Sequence, residues 1–321
     1  MSSAENRSEP AGHYPKVVAR RDKPGGSLTS KLIVGCGYLG ERVAKLWRDA
    51  SDEIHVVTRS AQRAQEFAAQ GFHPIVADVC DPKSLDNLPT VDTVLFAVGY
   101  ERNSHYSIEQ VYAQGFANVL AALPTDTSRV IYISTTGVYG PASGEWVDEE
   151  TPTAPERAGG QASLAAEQVL ASHPLGKRSI ILRLAGIYGP NRIPYLDKLR
   201  AGEPLAVPSE GWLNLIHVED AAAIVVAAER WAAANPITNG PEVFCVSDSE
   251  PVVRGDYYRE VARLIGAPKP QFVSPDPDTP TAQRARSDKR ISNRKLVEKI
   301  NPTLRYPKAQ AGLAAILSNS K

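Results

Sequence analysis

Residues 31–59, KLIVGCGYLGERVAKLWRDASDEIHVVTR, restrict the fold more than any other stretch of the chain. An apolar run, Leu32, Ile33 and Val34, enters three glycines, Gly35, Gly37 and Gly40. Val43, Ala44, Leu46 and Trp47 follow at the spacing of one helix face. A second run, Ile54, His55, Val56 and Val57, lies about twenty residues beyond the glycines, which predicts a strand, tight turn, helix and second strand. Such a unit cradles a dinucleotide. Gly35 permits the turn out of the strand, Gly37 lets the backbone approach a pyrophosphate, and Gly40 lets helix and strand pack closely. The helix N-terminus offers amides and a positive dipole end to the anion. Tyr38 and Leu39, within the turn, are expected at the same cofactor site.

Down the chain the alternation continues. A helix over 61–70 leads to a third strand, 74–78, ending on Asp78 and Val79. The ligand of a doubly wound sheet lies outside the carboxyl ends of its strands, so Asp78 is placed to accept from an adenine amino group or to cap a turn. A fourth strand from Thr93 ends in Ala97, Val98 and Gly99, whose small side chains leave room for a ribose. A helix over 107–123 precedes a fifth strand, 129–134, that ends in Ser134, Thr135 and Thr136. Residues 145–155 read as a Pro-rich acidic loop, 161–172 as a helix and 179–184 as a sixth strand. The pattern predicts an α/β fold, a doubly wound parallel Rossmann sheet with a smaller C-terminal α/β substrate lobe. Boundaries are expected at 1–30 for a polar N-terminal tail, 31–189 for the dinucleotide domain and 190–321 for the lobe, with some of its elements returning to the main sheet.

Acidic and basic residues balance at 36 each, so no general attraction to nucleic acid or an anionic membrane is expected. Residues 1–30 lack the apolar core of a secretory signal, and the run Ala221–Ala228 is far short of a bilayer span. Cys36, Cys80 and Cys245 are too scattered for a metal pattern or a disulfide framework. A soluble, cytoplasmic protein acting on a small molecule is the expectation.

Five segments in order resemble the extended short-chain dehydrogenase/reductases of the NAD-dependent epimerase/dehydratase group: Gly35–Gly40, Ser134–Gly140, Leu182–Pro190, Asn214–Asp220 and Val246–Pro251. The resemblance implies that Thr135 orients a substrate hydroxyl or carbonyl, and that Ala185 and Gly186 join Ser134 beside the cofactor. It also implies a tyrosine and lysine four residues apart on the following helix. Gly159 and Ser163 occupy those places, and neither supplies an acid or a charge that would lower a neighbour's pKa. Members of the family often dimerise through the two helices that correspond to 107–123 and 161–172, so a homodimer is one reading of their apolar residues and ordinary core packing is the other.

Thr58, Arg59 and Ser60 follow the second strand where an NAD site presents a carboxylate. Arg59 is therefore expected against a 2′-phosphate, favouring NADP over NAD, unless it is a solvated surface residue. Tyr139, within a VYG segment, reads first as a packing residue and second as a candidate acid. Tyr100, Tyr106, Tyr188 and Tyr195 are further loop hydroxyls, and Arg102, His105 and Arg192 are cations able to polarise one. Asp220 is expected as a helix N-cap and His217 as a buried structural histidine. Two functions fit: an NADP(H)-dependent oxidoreductase or epimerase acting on a sugar-like hydroxyl or carbonyl, or a cofactor-binding sensor or structural protein without catalysis.

Overall fold

The computed structural model describes residues 29–50, 52–101, 103–279, 282–283 and 287–318. The expected tail, up to residue 28, and the candidate Arg102 lie outside the described residues.

A seven-stranded parallel sheet forms the centre, in the order β11-β7-β5-β4-β1-β2-β3. Its strands are β1 Ser30–Val34, β2 Glu53–Thr58, β3 His73–Val76, β4 Thr93–Phe96, β5 Arg129–Thr135, β7 Ile180–Leu184 and β11 Glu242–Val246, with β6 lying outside the sheet. Both faces are covered, so the strands read as continuous apolar runs rather than as alternation. In β1, Ile33 packs with α1 (Gly40–Asp49) and α6 (Val218–Ala234), while Leu32 and Val34 pack with α3 (Gly115–Ala122) and α4 (Ala158–Ser172) on the other face. Trp47, Phe96 and Phe116 are almost wholly removed from water, each stabilising the fold by about 1.5–3 kcal/mol. Helix α2, Ala61–Ala69, completes the first half of the winding.

Charge is buried at the amino end of the sheet. The Glu229 carboxylate of α6 accepts from Lys31 Nζ, from Trp47 Nε1 at 2.9 Å and from Thr93 Oγ1 at 3.1 Å. Those bonds join α6 to β1, α1 and β4 and satisfy a group that would otherwise be costly to desolvate.

The C-terminal part contains short elements around a separate apolar core that includes Tyr188, Leu205, Tyr257 and Leu313. Parallel strands β8 (Gly186–Tyr188) and β10 (Leu215–His217) pair, as do antiparallel β9 (Trp212–Leu213) and β12 (Val252–Val253). Helices α5 (Leu196–Ala201), α7 (Arg254–Ile265), α8 (Arg294–Lys299) and α9 (Ala309–Ser318) belong to this half. Strand β11 of this half pairs with β7 in the main sheet, and Leu296 of α8 packs into the core of that sheet.

Two expectations need correction. The stretch read as an acidic loop begins with strand β6, Ala142–Val147, which pairs in parallel with β13, Ser287–Ile291. The partner lies over a hundred residues away, and exposed Trp146 breaks the burial signal, so local pattern did not show it. The helix expected over 107–123 contains a π-helical segment at Gln110–Gln114. Behind it Gly115 lies so close to Val79 that a Cβ would stand 2.7 Å from Val79 Cγ2.

Candidate functional site

A cleft of about 800 Å³ runs across the carboxyl ends of the central strands. Each strand end contributes the residues expected of it: Gly35, Gly37, Tyr38 and Leu39 after β1, Arg59 after β2, and Asp78 and Val79 after β3. Ala97, Val98 and Gly99 follow β4, Ser134 and Thr135 close β5, and Ala185 and Gly186 follow β7. Gly40 does not line the cleft; it is buried beneath it.

The turn after β1 fits a dinucleotide on its own geometry. Gly35 has φ +96°, and a Cβ there would lie 2.5 Å from the Ala97 carbonyl carbon. At Gly40 a Cβ would meet the Gly35 oxygen at 2.6 Å, whereas at Gly37 it would meet nothing within 4 Å. Two glycines are thus required by protein contacts and the third faces open space, as a close approach of a pyrophosphate demands. No side chain caps α1, and among the described residues the amides of Tyr38 and Leu39 make no backbone hydrogen bond. An anion is their natural acceptor.

Tyr38 bridges the cleft. Its hydroxyl donates to the Pro190 carbonyl at 2.9 Å, and its ring lies against the guanidinium groups of Arg42 and Arg192, 4.4 and 5.1 Å from the centroid. At the other end Arg59 pairs with Glu101 at 2.9 Å, both largely exposed. The Asp78 carboxylate accepts the Cys80 amide at 2.9 Å, closing a turn while still lining the cleft. Cys36 lines it too, but burial pushes its thiol up to about 12, so it is no thiolate nucleophile at neutral pH.

Thr135, Gly159 and Ser163 all line the cleft, so the two α4 residues that align with the tyrosine and lysine positions face the same space as the candidate substrate contact. Thr135 Oγ1 accepts the Gly137 amide at 3.0 Å, which leaves the hydroxyl proton to donate. Beneath it Ser134 donates to Glu167, and Arg183 holds that carboxylate through Nε at 3.0 Å and Nη2 at 2.7 Å. This buried bidentate pair joins β7 to α4, and the Ser134 bond ties the end of β5 to the same carboxylate.

The sequence expectation for Tyr139 as an acid is corrected. Its ring is buried and lines no cavity; its hydroxyl sits 3.0 Å from Arg183 Nη1 and 3.1 Å from Cys245 Sγ. Burial raises its pKa well above the tyrosine range, outweighing the Arg183 charge, so it braces the floor of the site. His105 and Tyr188 also lie off the cleft, whereas Tyr100, Tyr106 and Arg192 line it. His217 is buried as expected and is itself the N-cap of α6: Nδ1 accepts the Glu219 amide at 3.2 Å, and burial lowers its pKa to about 4. Asp220 is not the cap. Its carboxylate accepts the amides of Arg305 and Tyr306 at 2.7 and 2.9 Å, tying the C-terminal segment to α6.

A second cavity of about 390 Å³ adjoins the first and shares Thr135, Gly137, Arg157, Ala185 and Gly186 with it. Its remaining wall comes from distant segments, including Tyr195, Trp212, Arg254 and Lys289. Sequence reasoning missed Arg157 and Arg254, and no spacing marks them.

The sequence model of the NAD dependent epimerase/dehydratase family matches residues 32–239. The chain belongs to that family. It is 32% identical to Protein YeeZ of Escherichia coli K12 over 75% of this chain and 85% of that one. Among solved structures, a Methylobacillus flagellatus protein classed with the NAD-dependent epimerase/dehydratases is 28% identical, with TM-score 0.74, over 92% of this chain and 99% of its own. The Bordetella bronchiseptica enzyme WbmG, solved with NAD, shares the fold at 21% identity and TM-score 0.72, over 92% and 96% of the two chains. Among the described residues no helix is long and apolar enough to cross a membrane.

Proposed function

We propose that the protein is an NADP(H)-dependent oxidoreductase or epimerase-like enzyme acting on a hydroxyl or carbonyl of a small, sugar-like molecule. One observation carries this reading: the glycine turn and Thr135 open into the same cleft, and a second cavity meets it at Thr135. The nicotinamide, when bound, would supply the hydride donor or acceptor. The chain's own work is to bind, orient and exclude water. Main-chain amides of the turn would hold the pyrophosphate, Asp78 is placed for the adenine end, and Thr135 would donate its proton to the substrate oxygen.

Arg59 supports preference for NADP. It lines the cleft after β2, where no carboxylate of the same turn competes, and its pair with Glu101 is exposed. Such a pair is worth about 0–1 kcal/mol, so a 2′-phosphate would displace Glu101 at small cost. Titration of NADPH and NADH should show tighter binding of NADPH, reversed in Arg59→Glu. A wild type that favours NADH would refute the preference.

Proton transfer needs a group other than positions 159 and 163. Tyr100 and Tyr106 line the cleft, and water is the remaining donor. The same two positions favour a second reading, a cofactor-binding sensor without turnover. A panel of sugars, nucleotide sugars and carbonyl compounds, followed at the NADPH absorbance band, separates the two. Turnover abolished in Thr135→Val supports the enzyme; tight NADPH binding with no turnover supports the sensor.

A further inference from the structure

We propose that the second cavity is a binding site for an oxyanion, a carboxylate or a phosphate ester, carried by the substrate and held by Arg254, Lys289 and Arg157. The inference rests on the reading of Thr135 as the substrate contact and names the chemical class of molecule that would reach it. Among the described residues that line the cavity, these three carry positive charge and none carries negative charge. Arg254 and Lys289 are 7% and 5% exposed, so their charges have lost most of their water.

The arrangement is built rather than incidental. Arg254 begins α7 and is aimed by a bond from Nη1 to the Glu210 carbonyl at 2.7 Å. Asp288, which accepts the Trp212 amide at 2.7 Å, flanks Gly211 from the same side as the Arg254 guanidinium and favours its charge; a Cβ at Gly211 would stand 3.2 Å from Arg254 Nη1 and 3.4 Å from Asp288 Oδ1. Lys289, the next residue of β13, reaches the carbonyls of Tyr139 and Gly140 at 3.3 and 3.4 Å. Burial, together with the Arg157 charge, lowers its pKa to about 8. The Arg157 and Lys289 charges repel, burial makes the Lys289 and Arg254 charges costly, and an oxyanion among the three offsets both.

Size and position narrow the ligand. About 390 Å³ lies at the small end of ligand pockets. The walls include Tyr195, Trp212 and Tyr258, flat apolar surfaces with polar tips. Tyr195 is held at φ 59°, a strained conformation for a tyrosine that presents it at the mouth of the cavity. Because Thr135, Gly137 and Arg157 border both cavities, an anion seated here leaves the adjoining carbons of the substrate at Thr135.

Calorimetric titration of the full chain with inorganic phosphate and with malonate tests this, each with and without NADPH. At least one anion should bind the wild type. Arg254→Gln and Lys289→Gln should each weaken it about tenfold or more, as expected for loss of a charge-assisted hydrogen bond. Thr136→Asp, which adds a negative charge to the cavity wall without removing a cation, should do the same, so the result does not depend on replacing a buried cation. Tighter phosphate assigns a phosphate ester, and tighter malonate a carboxylic acid. Binding of neither anion, or binding that survives all three substitutions, would overturn the site. NADPH titration of the same variants reads the cofactor cleft separately: anion binding without NADPH binding would sink the proposed function and leave this site standing.

Discussion

The two cavities are built by opposite means. The first cleft gathers glycine, alanine, serine and threonine positions at successive strand ends, with tyrosines from the loops beyond them, contributed in chain order between Val34 and Ile187 apart from Arg192. Beyond the small residues it shares with that cleft, the second cavity draws on large side chains from segments as far apart as Arg157 and Lys289, and its charge comes from single residues. A main-chain site is hard to alter without disturbing the fold, whereas a side-chain site is changed one residue at a time. The first suits a ligand common to a whole family; the second suits whatever distinguishes one member.

The largest test strikes what the cavities share. Glu167→Gln leaves Arg183 buried without its countercharge beneath Ser134 and Thr135, which should cost about 3–5 kcal/mol in urea unfolding. Both cavities should lose ligand affinity together. If one survives, they do not share a floor.

A smaller pair of substitutions tests the main-chain cavity alone. Gly40→Ala places a methyl against the Gly35 carbonyl and should cost about 1–3 kcal/mol of stability. Gly37→Ala meets no protein atom, so unfolding should shift by less than about 0.5 kcal/mol while NADPH affinity falls. Equal destabilisation by the two would remove the distinction between a packing glycine and a ligand glycine.

An effect that depends on pH belongs to the half that holds the second cavity. Buried polar atoms without a hydrogen-bond partner gather there, among them Tyr188 Oη, Tyr257 Oη and both carboxylate oxygens of Asp248. Burial, with the nearby charges of Glu250 and Asp220, raises Asp248 from 3.8 to about 8. The unfolded chain therefore releases this proton at lower pH than the folded one, and Asp248 erodes stability as pH climbs from about 4 to about 8. Asp248→Asn should gain on wild type across that window in thermal unfolding, and the gain should level off above pH 8. Titration of His217, whose pKa falls to about 4, acts oppositely between 4 and 6.5 but is present in both proteins and cancels in the difference.

What was legible in the sequence follows the same division. Strand ends announce themselves through local apolar runs, so the residues from Gly35 to Gly186 expected around a dinucleotide were found lining one cleft, apart from buried Gly40. Tyr139 misled because a motif gives position along the chain and not the direction of a side chain; one 3-10 turn, Thr136–Val138, carries it under the sheet. Arg157 and Arg254 carried no local signal, since solvated arginines are common and only folding desolvates these. The β6–β13 pairing was hidden for a related reason: its partners lie too far apart for either to predict the other.

The hydroxyl of Tyr38 ends in a bond to Pro190, 152 residues further along. The glycine turn and the chain entering the C-terminal half are thereby latched into one mechanical unit, and a Cβ at Gly189 would press on that hydroxyl at 2.5 Å. The segment 190–195 that leaves this latch ends at Tyr195, which lines the neighbouring chamber, so the turn placed for a dinucleotide and the wall of the second cavity are joined by one short run of chain.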